Sequence, residues 1–319
     1  PRKGLMRLLN HLKINQKYLT EDDIGFMITP RINAASRMGV PMDAFRLLAT
    51  DDDNEAHKYV LHLDEINNER KGKVASIVKE VKKIISERYN NNPRNVIVAG
   101  NPQWRPSLLG LVANSCAEEF GRPAFLWARD GDRVIKGSCR SGATVSVVDI
   151  MNKVKQGVMI QYGGHSASGG FVVSDENIHF FDDHLNSAFD LLLKEEKNIE
   201  PDYIDMEISL DEIDWNMYKE IERLAPFGMG NKKPFFLLRD INISGIKEFG
   251  KEKNHLELSF KKGNGSLINA MGFFMDSKTF KNKDGEDIKI GDKIDLIATL
   301  EKSMFRGRAE LRMRIEDVV

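Results

Sequence analysis

Apolar residues recur at intervals of mostly three and four over residues 54–88, at Val60, Leu63, Ile66, Val74, Ile77, Val78, Val81, Ile84 and Ile85, with Gly72 the one glycine in a run without proline. That spacing predicts one long amphipathic helix. The stretch Tyr89-Asn90-Asn91-Asn92-Pro93 ends it. Upstream, Leu5, Leu8, Leu9 and Leu12 fall at helical spacing, and a short helix over residues 41–50 follows the Gly39 turn. Downstream, the pattern alternates: strand 95–100, helix 107–120, strands 124–128 and 134–138, helix 145–155, strand 170–173, helix 177–197. Alternation of this kind predicts an α/β domain. The polar run 195–201 reads as a linker, and beyond it short strands follow at 204–210, 235–243, 255–260, 266–274, 293–300 and 310–316. Turn-rich pieces at 262–265 and 282–285 separate some of them. So many short strands suit a small closed barrel of the oligonucleotide-binding (OB) type. The expected fold class is α/β plus β in four parts: an end-piece over 1–52, a connecting helix over 53–92, an α/β domain over 93–200 and an OB barrel over 201–319.

Composition narrows the function only slightly. A formal net charge of −1 gives no global basic field, so any site for a polyanion must be a local patch. The apolar runs 96–99 and 108–112 are too short to cross a bilayer. The start, Pro1-Arg2-Lys3-Gly4-Leu5, lacks the apolar stretch of a secretory signal. Two cysteines, Cys116 and Cys139, build no disulfide framework, which makes a reducing cytosol the default expectation. Cys116, among apolar helix residues, reads as core.

Candidate chemistry sits in four places. Tyr162-Gly163-Gly164-His165-Ser166-Ala167-Ser168-Gly169-Gly170 is either a phosphate cradle with exposed N–H groups, in which His165 donates to an anionic oxygen, or a plain glycine-rich turn between helix and strand. Gly137-Ser138-Cys139-Arg140-Ser141-Gly142 reads as a strand-to-helix turn whose hydroxyls and arginine suit a phosphodiester, against an ordinary surface arginine. Pro30-Arg31-Ile32-Asn33-Ala34-Ala35-Ser36-Arg37-Met38 sets two arginines six residues apart, either to reach a phosphate or to pair with carboxylates such as Asp51, Asp52 or Asp53. Lys302, Arg306, Arg308, Arg312 and Arg314 face only Glu310 between 302 and 314, and Phe305 within that run makes it a stacking platform or a solvated face. Asp182-Asp183-His184 reads as a solvated helix face, and Asp51-Asp52-Asp53 as capping carboxylates, rather than as metal sites.

Taken in order, these pieces resemble the RecJ nucleases. Residues 26–38 look like the family's "PRINAAGRM" segment, with Ser36 where Gly is usual, and Asp64-Glu65-Ile66-Asn67-Asn68-Glu69-Arg70 resembles the start of its connecting helix. Trp104–Ala113 resembles "WHxGVIGIVA", with Arg105 in place of His; residues 137–141 are similar to "GSxRS" and residues 163–165 to the "GGH" of the DHH-associated (DHHA1) domain. Pro226-Phe227-Gly228-Met229-Gly230-Asn231 and Phe305-Arg306-Gly307 match positions of the family's OB domain.

The resemblance implies a 5′→3′ exonuclease specific for single-stranded DNA, serving repair and recombination in the cytoplasm, with no membrane role. A single-strand-binding protein and a helicase are candidate partners. Mn²⁺ or Mg²⁺ would be held by Asp and His residues of a DHH domain; no DHH triplet precedes Pro30, so those ligands are expected upstream of Pro1 and no metal site is assigned here. This chain then supplies binding parts: the end of a DHH domain, the connecting helix, a DHHA1-type domain and the OB barrel. Arg31 and His165 are the catalytic candidates. Arg31, Asn33, Arg37, Ser138, Arg140, Ser141, Gly163, Gly164, His165, Phe305, Arg306 and Arg308 are the candidates for holding DNA phosphates. The alternatives are a DHH-family phosphodiesterase of short oligonucleotides or cyclic dinucleotides, and a stand-alone single-strand-binding module without enzymatic activity.

Overall fold

The computed structural model describes residues 2–90, 93–129, 135–142, 145–195, 204–228, 230–250, 253, 255–273, 275, 277–282, 285–303 and 309–318. They form two compact units, Pro1–Ile199 and Glu200–Val319.

In the first unit, α1 (Lys3–His11), α2 (Thr29–Met38) and α3 (Pro41–Ala49) pack on the first half of α4 (Asp53–Tyr89). Leu8, Ala35, Leu47, Val60 and Leu63 form that core. Helix α4 starts where the Asp52 carboxylate accepts the Glu55 N–H at 2.7 Å, and it ends where Asn90 turns left-handed at φ 52°. Asp52 therefore caps, as its position suggests, while Asp53 pairs with Arg7. Helix α2 escapes the hydrophobic pattern because its buried residues are only Ala34 and Ala35. Such small side chains leave little periodic signal but let the helix lie close to α4. Pro30, in its first turn, is where proline costs no hydrogen bond.

The α/β part is a sheet of β1 (Ile97–Gly100), β2 (Ala124–Arg129), β3 (Ile135–Arg140), β4 (Met159–His165) and β5 (Ser168–Val173), in the order β1-β2-β3-β5-β4. Only the β1–β2 pair is parallel. On one face lie α5 (Pro106–Phe120) and the second half of α4, joined through Ile77, Val81, Leu108, Val112 and Leu126. On the other, α6 (Val147–Lys153) and α7 (Phe181–Glu195) close over Phe125, Cys139, Ile150 and Phe171.

Two sequence expectations change here. Residues 137–140 are not a strand-to-helix turn but the body of β3, hydrogen-bonded to β2 and β5 on both sides. Gly137 is needed there because the Phe171 ring lies where its Cβ would be, 2.0 Å away. Residues 163–165 likewise belong to a strand, β4, and the turn to β5 is Ser166-Ala167. Gly164 adopts φ 153°, and a Cβ on it would meet the Ser168 carbonyl oxygen at 2.3 Å. Close strand approach, not turn chemistry, explains these glycines.

Helix α7 is tied to the end of α4. The Tyr89 hydroxyl donates to Asp182, Arg94 reaches Asp183 at 2.6 Å, and the Asn186 amide both accepts from and donates to the Val96 backbone, at 2.9 and 3.2 Å. Asp182, 23% exposed, is thus a structural partner, while Asp183, 70% exposed, lies on the solvated face that the sequence suggests even as it meets Arg94.

In the second unit, a two-residue strand β6 (Met206–Glu207) stands where a longer strand was expected, and α8 (Trp215–Glu222) was not anticipated. Strands β7 (Phe236–Phe249), β8 (His255–Lys261), β9 (Leu267–Phe273), β10 (Lys293–Ser303) and β11 (Glu310–Val318) close into a barrel, β10 pairing with β7 and β11 running parallel to β9. Leu256, Leu258 and Phe260 alternate inward along β8 and meet Ile268, Leu296, Met313 and Ile315. Closure leaves few free strand edges, and this strand order is that of an OB barrel.

Phe171→Ala removes a ring stacked on Phe125 and Phe181 at centroid distances of 5.7 and 5.0 Å; the expected loss of stability is about 3–5 kcal/mol, read as a lower urea midpoint. Burial, and then the bond to Asp182, push the Tyr89 hydroxyl from 10.0 up to about 12. The unfolded phenol ionises first, so stability falls as pH rises from about 10 to 12. Tyr89→Phe should flatten that part of a stability-against-pH curve; an unchanged slope would show that Tyr89 does not cause it.

Candidate nucleic-acid interface

Sheet register brings four of the candidate positions, Ser138, Arg140, Gly163 and His165, into two rows on one face. Arg140 of β3 and His165 of β4 both pair with Ser168 of β5, so the three side chains lie in one row on one face. Two positions along, Ser138, Gly170 and Gly163 form the next row on the same face. Between them, Cys139, Gly169 and Gly164 point to the opposite face, where Cys139 is fully buried and burial pushes its thiol up to about 12. The polar face is open: α5 covers β2 and β3, whereas Gly163 and His165 are exposed and Ser138, Ser168 and Gly170 half-buried. A Cβ on Gly163 would meet nothing within 4 Å. The result is a shallow trough with a bare backbone floor, Arg140 towards one side and His165 towards the other. The His165 imidazole has no hydrogen-bond partner among the described residues.

Arg140 is held in place without being neutralised. Its Nη1 donates to the Cys139 carbonyl at 2.7 Å, and its guanidinium lies along α5, Nη2 being 3.0 Å from where a Gly110 Cβ would sit. One turn earlier on α5, Arg37 Nη1 donates to the Ser107 carbonyl at 2.8 Å, and the Ser107 hydroxyl returns a bond to the Arg37 carbonyl at 2.8 Å. This exchange fastens α2 to α5. Burial, and the positive charge of Arg37, both lower the Arg140 pKa from its ordinary value. Arg70 on α4 is lowered by the same two causes. Among the described residues, none of the three has a carboxylate partner.

The other candidates are placed differently. Arg31 is 12% exposed; its Nε pairs with Asp64 at 2.7 Å and its Nη1 donates to the Met27 carbonyl at 2.7 Å. The carboxylate of the pair is thus Asp64, not one of Asp51–Asp53. Burial pushes Asp64 up, but hydrogen bonds from Arg31 and from His11 outweigh it and hold the carboxyl below its usual range. Asn33 is exposed on α2, and Ser141 is buried with its N–H on the Ala167 carbonyl at 3.1 Å. Phe305, Arg306 and Arg308 lie outside the described residues.

The barrel carries an aromatic row that the sequence pattern did not single out. Phe249, His255 and Phe273 pair across β7, β8 and β9, with ring centroids 5.2 Å (Phe249–His255) and 5.5 Å (His255–Phe273) apart. Arg312 and Arg314 lie over Phe273 at 6.0 and 5.6 Å. Arg312 is also paired with Glu301 at 2.5 Å. The three rings fall at strand ends far apart in sequence, so only the register aligns them.

Divalent ions, which the resemblance implies, need several carboxylate or imidazole ligands. Among the described residues, no group of three or more His, Cys, Asp or Glu is arranged to hold one. His11 and Asp64 are engaged with each other, Asp64 also with Arg31, and His62 pairs with Asp43. The described residues do not fit such an ion, and no chemical step is assigned to one. Among the described residues, no helix is long and apolar enough to cross a membrane.

Comparison with known proteins accords with this architecture. The DHHA1 domain model matches residues 94–191 and the RecJ OB domain model residues 204–317. The chain is 25% identical over 298 residues to the single-stranded-DNA-specific exonuclease RecJ of Bacillus subtilis (strain 168), covering 93% of this chain and 37% of that protein. It is 31% identical over 221 residues to the protein of the same description from Thermus thermophilus, covering 68% of this chain and 30% of that one. A crystal structure of RecJ in complex with Mg²⁺, also from Thermus thermophilus, shares the fold, with a TM-score of 0.75 and 23% identity over 99% of this chain and 46% of the other. The chain therefore spans roughly a third of the length of these two curated relatives. With a DHHA1 domain followed by a RecJ OB domain, and relatives of one kind matching across both, the chain belongs to the RecJ family.

Proposed function

We propose that this chain is the strand-holding part of a 5′→3′ exonuclease specific for single-stranded DNA, acting in repair and recombination in the cytoplasm, whose Mn²⁺- or Mg²⁺-dependent hydrolytic centre lies outside these residues. The observation that carries the reading is the Arg140–Ser168–His165 row on an open, glycine-floored face. Strand spacing of about 4.8 Å gives such a row a reach of roughly 10 Å, enough for one backbone to lie across it. A guanidinium held by a carbonyl keeps donors free for phosphate oxygens. Bare backbone at Gly163 and Gly170 lets a strand approach closely.

The aromatic row of the barrel supports the same reading by a second route. Stacking on Phe249, His255 and Phe273 is tolerant of sequence, because every base has a π-face. That surface favours a long strand over a dinucleotide, which is why a small-oligonucleotide phosphodiesterase is the weaker reading. A single-strand-binding protein and a helicase are the proposed partners in the same work.

Fluorescence anisotropy with a long single strand, a duplex and a dinucleotide tests the proposal. The single strand should bind best, with affinity falling steeply as salt rises, and without degradation when Mn²⁺ is added. Arg140→Ala should weaken binding about tenfold for every sequence. A loss confined to one sequence, or no loss, contradicts the phosphate role. Mn²⁺-dependent degradation by these 319 residues would place the hydrolytic centre within them.

A further inference from the structure

One buried side chain is left unexplained by the interface above. Asn67 is fully buried on α4, and its Nδ2 has no hydrogen-bond partner. An amide there is costly, and an apolar residue would suit a helix face continuous with Val60 and Leu63 better. What Asn67 does is hold Arg70: its Oδ1 accepts from Arg70 Nε at 3.2 Å and from Nη2 at 3.0 Å. An aspartate would grip the guanidinium more strongly but would also cancel its charge. A neutral acceptor orients the group and leaves it cationic.

We propose that Arg70, oriented by Asn67, is a third cation of the phosphate site formed by Arg37 and Arg140, and that Asn67 is its positioning residue. This rests on the strand-holding reading and deepens it by naming a further contact for the strand's phosphates. The three arginines share one design, since each is steadied by an uncharged oxygen: the Ser107 carbonyl, the Cys139 carbonyl and the Asn67 amide. They also share one place. The end of α2 is wedged between α4 and α5, with Arg37 on Ser107, Met38 Sδ 3.7 Å from Arg105, and Gly39 against Ile66 one turn before Arg70. The first turn of α5 opens there without a side-chain cap, so its N–H groups and positive dipole end favour an anion at the same spot. Three like charges with no carboxylate partner among the described residues repel one another, and a phosphate relieves that repulsion.

The test uses the whole chain with two probes, inorganic pyrophosphate in thermal melts and a thymidine oligonucleotide in salt titrations. Arg70→Gln should weaken oligonucleotide binding about five- to tenfold and reduce the slope of log K against log salt by about 0.7. Arg70→Lys should restore the slope. Asn67→Asp, which pairs Arg70 in place, should reduce the slope by the same amount while melting no lower than the parent. Pyrophosphate should raise the melting temperature of the parent but not of Arg70→Gln or Asn67→Asp. If pyrophosphate stabilises all three equally or none, or the variants keep the parental slope, Arg70 serves only the fold and the proposal is overturned. If pyrophosphate acts through Arg70 while no single strand binds, the anion site stands and the strand-holding reading falls.

Discussion

Positive charge held by neutral oxygens is the constraint on which the rest of this interface depends. Elsewhere in the first unit arginines meet carboxylates: Arg7 with Asp53, Arg31 with Asp64, Arg94 with Asp183 and Arg129 with Asp175. In those pairs a carboxylate already balances the guanidinium charge. Arg37 and Arg140 are instead fixed by main-chain carbonyls. A carbonyl fixes direction and costs little charge, so the remaining guanidinium donors stay available to an anion. A global basic field is unnecessary when a few charges lack a carboxylate partner in one place, which reconciles a formal net charge of −1 with the proposed polyanion site.

The fold supplies that place by removing side chains. On β3, β4 and β5, glycines let Phe171 lie over Gly137 on the buried face and leave Gly163 bare on the open one. Alternation along the strands then sorts the motif residues, with Cys139 going to the core and Ser138 and Arg140 to the trough. The barrel follows the same logic with different chemistry. Its inward residues make the core, and its outward strand ends bring Phe249, His255 and Phe273 into register beneath two arginines.

Long, strongly periodic elements were legible in the sequence. Helix α4 shows its apolar stripe, its Asp52 cap and its Asn90 stop, and the barrel strands show their alternation. Elements held by small residues were not: α2 buries only alanines, and β4 is rich in glycine where turns are also rich in glycine. The motif residues were legible one by one, while their grouping was not. Nothing local says that Arg140 and His165 share Ser168 as a neighbour, or that Arg31 takes Asp64 while Arg37 takes the Ser107 carbonyl. Register and ion pairing are properties of the folded chain, and the aromatic row was missed for the same reason.

The most direct test is a crystal structure of this chain with a short thymidine oligonucleotide. The account predicts a phosphate oxygen within hydrogen-bonding distance of the Arg140 guanidinium, with the backbone passing over Gly163 and Gly170 towards His165. An ordered oligonucleotide bound elsewhere, with that trough left to solvent, would contradict it.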